Sequence, residues 1–288
     1  MMLTHPLECS ATTHPGLKRG NNEDCFLSSP YADLWVVADG MGGHEAGEVA
    51  SAIVRETFED FVQKAVPFSL TEAIQKSHEL ILSSADKGIG ARGMGSTVVA
   101  LQNKDQFYQV AWVGDSRAYL WTPGEQGGEL TRLTTDHSYV QMLYASGVIS
   151  ATDLDTHPDK NIITQCLGMQ ELAQVKVDTT AGQWQKNQWI LLCSDGLTDE
   201  LSDAEITTIL EHSPNSLTAT DQLLHEALTS GGRDNITLQI IESPVVNEVN
   251  PNKFWQWIPA ITTNRKMDAV IFLGAISALL GILVHTLK

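Results

Sequence analysis

The sequence predicts an α+β protein in which layered antiparallel sheets carry helices on their outside. Three observations point there. Short apolar runs recur along the chain, and several stop at an Asp-Gly pair. Two amphipathic helical stretches interrupt the early strands and two more come near the end. Between them lies a run of strand-like segments parted by polar or glycine-bearing turns, which suits an antiparallel meander and not a βαβ alternation.

The elements follow in order. Residues 34–38 are apolar throughout and end at Asp39-Gly40, so they read as a buried strand that delivers Asp39 to a turn. From residue 46 to 64, Val49, Ala50, Ile53, Val54, Thr57, Phe58 and Phe61 recur at helical spacing, and a second helix is expected over 70–84. Strands are expected over 96–102, 106–113 and 117–121. Gly93 and Gly95 flank Met94 before the first of these and read as fold architecture, because no helix start follows to bind phosphate. Residues 139–161 have weak periodicity and read as a short helix plus an irregular excursion. A buried strand over 188–193 ends at Ser194-Asp195-Gly196. Helices over 204–211 and 217–228 and a strand over 235–241 close the pattern.

Composition bounds the function. The chain has 288 residues, 42% of them hydrophobic, enough for a real core without disulfides. A net charge of −17 repels a nucleic-acid backbone and excludes a general nucleic-acid binder. Carboxylates in such excess can instead serve divalent cations. Cys9, Cys25, Cys166 and Cys193 form no CxxC pair and no apolar signal segment opens the chain, so reduced thiols in a cytosolic compartment are expected.

Aspartates sit at the ends of buried strands, in glycine-bearing motifs: Asp39, Asp115, Asp195 and Asp234. Each alone reads as a turn residue. Four together place several carboxylates in one pocket if the strand ends converge, and their repulsion then demands a cation. Oxygen-only ligands favour Mg²⁺ or Mn²⁺ over zinc.

The same positions carry a family resemblance. Gly16-Leu17-Lys18-Arg19-Gly20-Asn21-Asn22-Glu23-Asp24 resembles the N-terminal motif of the PPM family, the type 2C metal-dependent protein phosphatases. Asp39-Gly40-Met41-Gly42-Gly43-His44 is similar to the bacterial form of its central motif. Gly114-Asp115-Ser116-Arg117, Ser194-Asp195-Gly196-Leu197 and Gly232-Arg233-Asp234-Asn235 match later motifs in order, and the resemblance covers about residues 10 to 242. It implies a four-layer α-β-β-α sandwich of two antiparallel sheets. It implies a protein serine/threonine phosphatase acting on phosphoserine and phosphothreonine proteins made by a Ser/Thr kinase, working as a monomeric catalytic domain.

The resemblance also implies roles. Asp39 bridges two Mg²⁺ or Mn²⁺ ions, with the Gly40 carbonyl as a further ligand. Asp195 and Asp234 hold the first ion, and Glu23 reaches the second mainly through water. Asp115 with Asp195 forms a looser third site, Asp24 supports this shell, and Asp199 is an outer acid. A hydroxide shared by the two core ions attacks phosphorus in line, and Arg19 clamps the phosphate. Eukaryotic members often carry a His directly after the DG pair. Here Met41 stands there, so the proton for the leaving alkoxide comes from His44 or from a metal-bound water. The other histidines, His78, His137 and His212 among them, read as surface or structural. Residues 139–168 match the family's flap, which borders the site. A scaffold relative without activity would have lost a core ligand, and Asp39, Asp195 and Asp234 are all present; an unrelated metallohydrolase would recruit more His.

Beyond the resemblance the composition shifts. Pro244, Pro251 and Pro259 punctuate a stretch with Phe254, Trp255 and Trp257. Residues 269–287 are then apolar all round, apart from Ser277, His285 and Thr286, and just long enough to span a bilayer. Arg265 and Lys266 precede them and set the catalytic side toward the cytoplasm. The expected organisation is a catalytic domain over 1–242, a linker over 243–268 and a single transmembrane helix over 269–287.

Overall fold

A computed structural model of the chain describes residues 6–42, 46–64, 67–125, 127–154 and 156–245. Two antiparallel sheets face each other. The first has the order β1 (Cys9–His14), β11 (Ile236–Glu242), β10 (Trp189–Cys193), β7 (Arg117–Thr122), β8 (Glu129–Arg132). The second runs β2 (Asp24–Ser29), β3 (Leu34–Met41), β5 (Val98–Lys104), β6 (Phe107–Val113), β9 (Asp178–Gln183), with β4 (Gly95–Ser96) paired to the end of β3. Helices α1 (Ala46–Lys64) and α2 (Leu70–Asp86) cover the second sheet, and α5 (Asp203–His212) and α6 (Ser216–Ser230) cover the first.

Three apolar layers hold these four together. In β3 the alternation of side chains makes every residue from Leu34 to Ala38 core. Leu34, Val36 and Ala38 pack toward Phe58, Ile74 and Ile81 of the helices. Trp35 and Val37 point between the sheets to meet Ile190 and Leu192 of β10. On the far side Tyr119, Leu191 and Cys193 pack under Ile206, Leu210 and Leu223. A strand buried on both faces shows a continuous apolar run, which is why β3 and β10 are plain in the sequence.

Side-chain caps set the starts of α2, α5 and α6. Ser69 accepts from the Glu72 N–H, Asn215 from the Thr218 N–H, and Ser202 exchanges bonds with Glu205 in a capping box.

The structure differs from the sequence expectation in two ways. Strand β3 does not stop before Asp39 but runs to Met41, so Asp39 lies inside the ladder opposite Asp24 and Gly40 lies opposite Ser96. Four strands, β1, β2, β8 and β9, carry no clear apolar signal. The edge strand β9 (DTTAGQ) alternates half-buried and exposed positions with small and polar residues, so its pairing with β6 comes from register and not from burial. The expected transmembrane helix over 269–287 lies outside the described residues. Among the described residues no helix is long and apolar enough to cross a membrane.

Candidate active site

The site is an extension of the inter-sheet core. The face of β3 that carries Trp35 and Val37 continues into Asp39 two residues later. Asp24 stands directly across from it on β2. Beyond Ile190 and Leu192, the same face of the chain leaving β10 carries Ser194, whose hydroxyl donates to Asp24 Oδ2 at 2.8 Å. One end of the sandwich therefore finishes in polar and acidic side chains where the core stops. There a cleft of about 940 Å³ is lined by Arg19, Glu23, Asp39, Asp115, Asp195 and Asp234, with Gly40, Thr97 and Asn235 among the walls.

Neutral donors and acceptors fix this rim. The Asp39 N–H donates to Thr97 Oγ1 at 3.1 Å, and Thr97 Oγ1 pairs with Ser116 Oγ at 2.7 Å, tying the Asp39 strand to the Asp115 turn. Asn235 receives the Glu23 N–H at 2.7 Å and donates to the carbonyls of Pro15 and Asn21, pinning the N-terminal loop against the end of β11. The Gly40 N–H donates to the Glu23 carbonyl at 3.1 Å, and Ser51 Oγ donates to the same carbonyl. The first turn of α1 approaches so closely that a side chain at Gly40 would meet the Gly47 carbonyl, and one at Gly47 would meet the Glu23 carboxylate. Asp115 follows Gly114, whose φ of +106° is open to glycine alone.

The cations near the cleft divide by role. Arg19 stands at the mouth with its side chain 57% exposed, its Nη2 donating to Asp234 Oδ2 at 2.5 Å. Arg117 lies behind the site and grips Asp136 with two nitrogens, and Arg132 pairs with the same carboxylate. Lys160 and Asn161, in the loop after the short helix α3 (Tyr139–Ala145), each donate to Asp199 at 2.8 Å. Asp199, at the end of the one-turn helix α4 (Asp195–Thr198), is thus occupied by this excursion, and Asn161 and Ile163 reach the cleft wall.

The electrostatics are those of acids crowded out of water. Burial holds the Asp39 carboxyl well above the usual range, and Asp24, Asp195 and Asp115 add to the effect. Burial pushes Asp24 up to about 7, against the hydrogen bonds from Thr237 and Ser194. It pushes Asp195 up to about 6, with Asp199 and Asp234 reinforcing it. Asp115 is raised by burial and by Asp195. Glu23 is raised chiefly by burial, while Arg19 is raised chiefly by its bond to Asp234.

This donor set fits divalent metal. Asp24 Oδ1 is buried without a partner. Among the described residues no three acidic, His or Cys side chains close on a single point. The oxygens are instead spread round a roomy cleft, as hard ions that keep several waters require. Of the residues singled out from sequence, Arg19, Glu23, Asp39, Gly40, Asp115, Asp195 and Asp234 share the cleft. Asp24 sits behind it, bonded to Ser194. His44 lies outside the described residues. Sequence reasoning gave no role to Asn235, Ser194, Thr97 or Ser116. Ser116, Ser194 and Asn235 had only their place beside the motif aspartates as a signal, and Thr97 only its place after the Gly93-Met94-Gly95 turn.

Comparison with known proteins agrees with this geometry. The family model described as protein phosphatase 2C matches residues 18–229. The chain belongs to the protein phosphatase 2C family. It is a metal-dependent protein serine/threonine phosphatase. The serine/threonine phosphatase stp of Listeria innocua is 36% identical over 241 residues, 80% of this chain and 93% of that protein. The crystal structure of the serine/threonine phosphatase Stp1 from Staphylococcus aureus superposes with a TM-score of 0.77 at 31% identity, covering 85% of this chain and 98% of that one. The catalytic domain of the phosphatase PstP, solved in complex with two manganese ions, aligns with a TM-score of 0.71 at 31% identity, over 82% of this chain and 98% of that domain. Two core ions of Mn²⁺ or Mg²⁺ are thus the cofactors of this phosphatase.

The raised acids give a pH dependence. Asp24 and Asp195 titrate higher in the native state than in the unfolded chain. As pH rises above about 4, the unfolded chain loses its protons first, so the native state binds more of them and stability falls through about pH 6–7. Metal-free phosphatase should therefore melt lower at pH 8 than at pH 5. If Mn²⁺ takes the ionised carboxylates of this cleft as ligands, saturating Mn²⁺ should raise the melting temperature more at pH 8 than at pH 5. Scanning calorimetry with and without Mn²⁺ checks this, and an equal or larger Mn²⁺ shift at pH 5 would contradict it.

Proposed function

We propose that the cleft hydrolyses phosphoserine and phosphothreonine esters with Asp39 as the ligand common to two ions. The observation that supports this is the meeting of Asp39, Asp195, Asp234 and Arg19 in one cleft at the end of the inter-sheet core. Asp39, Asp195 and Asp234 would hold one ion. Asp39, the Gly40 carbonyl and, through water, Glu23 would hold the other, and Asp115 with Asp195 a weaker third. When bound, such ions supply a water acidic enough to attack phosphorus at neutral pH and offset the charge that develops on the leaving oxygen.

The chain's own residues do the rest. Arg19 is exposed at the mouth, and an exposed ion pair such as the one it makes with Asp234 is weak, so its guanidinium is free to exchange onto phosphate oxygens. Asn235, Thr97 and Ser116 keep the carboxylates from rearranging, and Asp24 stands behind Asp39 as a second buried acid. The serine or threonine alkoxide takes its proton from His44 or from a water in the cleft. The catalytic domain, residues 1–242, acts as a monomer on the products of a Ser/Thr kinase.

Asp39→Asn removes charge from the shared ligand and should lower kcat on a phosphothreonine peptide by about two to three orders of magnitude. Arg19→Ala should raise KM by about tenfold or more with a smaller loss of kcat, because it removes charge-assisted bonds to bound phosphate. Steady-state kinetics with Mn²⁺ tests both. Full activity of Asp39→Asn would sink the metal assignment, and a kcat loss at constant KM would move Arg19 into the transition state.

We also infer a membrane anchor at residues 269–287, with the linker over 243–268 and the catalytic side in the cytoplasm. The support is the length and all-round apolar character of the segment, the preceding Arg265 and Lys266, and the nearby Trp255 and Trp257. A chain ending at Pro259 should partition to the soluble fraction and retain kcat, while the full chain should pellet with membranes and need detergent for release. Identical partitioning of the two forms would overturn the anchor.

A further inference from the structure

His137 belongs to none of the aspartate motifs, and its side chain is only 12% exposed. Its ring and backbone nevertheless join three segments. The Gly114 N–H donates to His137 Nδ1 at 3.1 Å, and the His137 N–H returns a bond to the Gly114 carbonyl at 2.9 Å. The Gln165 side-chain amide reaches the same Nδ1 at 3.1 Å, and the Thr164 N–H donates to the His137 carbonyl at 2.7 Å. On the other side of the ring, Nε2 faces Asp178 Oδ2 at 3.3 Å.

These partners decide the tautomer. A backbone N–H can only donate, so Nδ1 is a bare acceptor and the ring proton sits on Nε2, toward the Asp178 carboxylate. A carboxylate that orients an imidazole so that its second nitrogen serves another group is a familiar supporting arrangement. Here the group served is the peptide of Gly114, the residue before Asp115, with its φ of +106°. Glycine has the widest backbone freedom of any residue, so the Asp115 turn depends on outside bonds for its setting. Gln165 ties the other end of the link: its amide also exchanges bonds of 2.8 Å with the backbone N–H and carbonyl of Lys176, at the root of the excursion that carries Lys160 and Asn161.

We propose that His137 is a positioning residue: as a neutral imidazole protonated on Nε2, it sets the Gly114-Asp115 turn against the root of the 139–168 excursion. It thereby governs how tightly the third, weakest divalent ion is held. The inference rests on the reading of Asp115 as a ligand of that ion. The acceptor at Nδ1 is the atom that matters.

Two substitutions separate the halves of the ring. His137→Asn places a carbonyl oxygen close to the position of Nδ1 and preserves an acceptor for Gly114. His137→Gln reaches the position of Nε2, keeps a donor for Asp178 and leaves the Gly114 N–H without its partner. Mn²⁺ binding is measured by calorimetry without substrate, below the melting temperature of each variant, beside the Mn²⁺ dependence of kcat on a phosphopeptide. His137→Gln should weaken the low-affinity site by about tenfold, as losing an acceptor for a buried N–H does, while the two tight ions stay. His137→Asn should remain within about threefold of the parent. Gln165→Ala, which cuts the link from the exposed side, should weaken the same site and spare the tight ones. Asp115→Asn should abolish the site. If Asp115→Asn keeps a third ion, the Asp115 reading fails and this inference with it. If Asp115→Asn loses the ion but His137→Gln keeps it, or His137→Asn loses it as fully as His137→Gln, the ligand reading stands and the role of His137 is overturned.

Discussion

Buried acids that repel one another set the terms for the rest of this molecule. Asp24 and Asp39 lie directly across a strand pair, and Asp195 and Asp115 crowd the same space. Like charges opposite each other in a ladder are unfavourable, and burial makes their ionisation costlier still. The native state tolerates the arrangement in two ways. Protons on some of the acids are one, since burial raises Asp24 and Asp195 above the usual carboxylate range. On the proposed reading, divalent ions take the place of those protons. That reading makes the cleft a metal site before any substrate arrives.

The sandwich makes such crowding feasible. Trp35, Val37, Ile190 and Leu192 weld the two sheets through a dry layer, so the strand ends cannot drift apart to relieve the charge. The polar frame of Thr97, Ser116, Ser194 and Asn235 has no net charge and so holds the carboxylates without neutralising them. The close approach of α1 at Gly40 and Gly47 brings the Glu23 loop against the β3 end. Stability and function thus draw on the same strands from opposite ends. Interior packing keeps the geometry, and the exposed end supplies the chemistry.

Much of this was legible in the sequence, and the reasons are physical. Strands buried on both faces, β3 and β10, show themselves as unbroken apolar runs, and α1 and α2 show a 3.6-residue stripe. The site aspartates stood out because each borders a strand-like run, Asp234 before β11 and the others after an apolar stretch. Strands β1, β8 and β9 were hidden, because edge positions ask for little burial and their small or polar residues would suit a loop equally well. That Asp39 lies within a ladder and not in a turn was equally hidden, since it faces the polar strand β2 at Asp24, and Ser96, which pairs with Gly40 and carries the ladder past it, is far off in the chain. Side-chain clamps such as Asn235, which joins Glu23 to Pro15 and Asn21, depend on contacts across more than two hundred residues and leave no local trace.

The most direct measurement of the central claim counts ions and protons together. Metal-free protein is titrated with Mn²⁺ in calorimetry at pH 6, in buffers of differing ionisation enthalpy, and again at pH 8. If protons and divalent ions compete for the same buried carboxylates, two tightly bound ions will displace protons at pH 6 and fewer at pH 8, because Asp24 and Asp195 have by then ionised. Binding of two ions with no proton release at either pH, or failure to bind two ions tightly, would contradict the account.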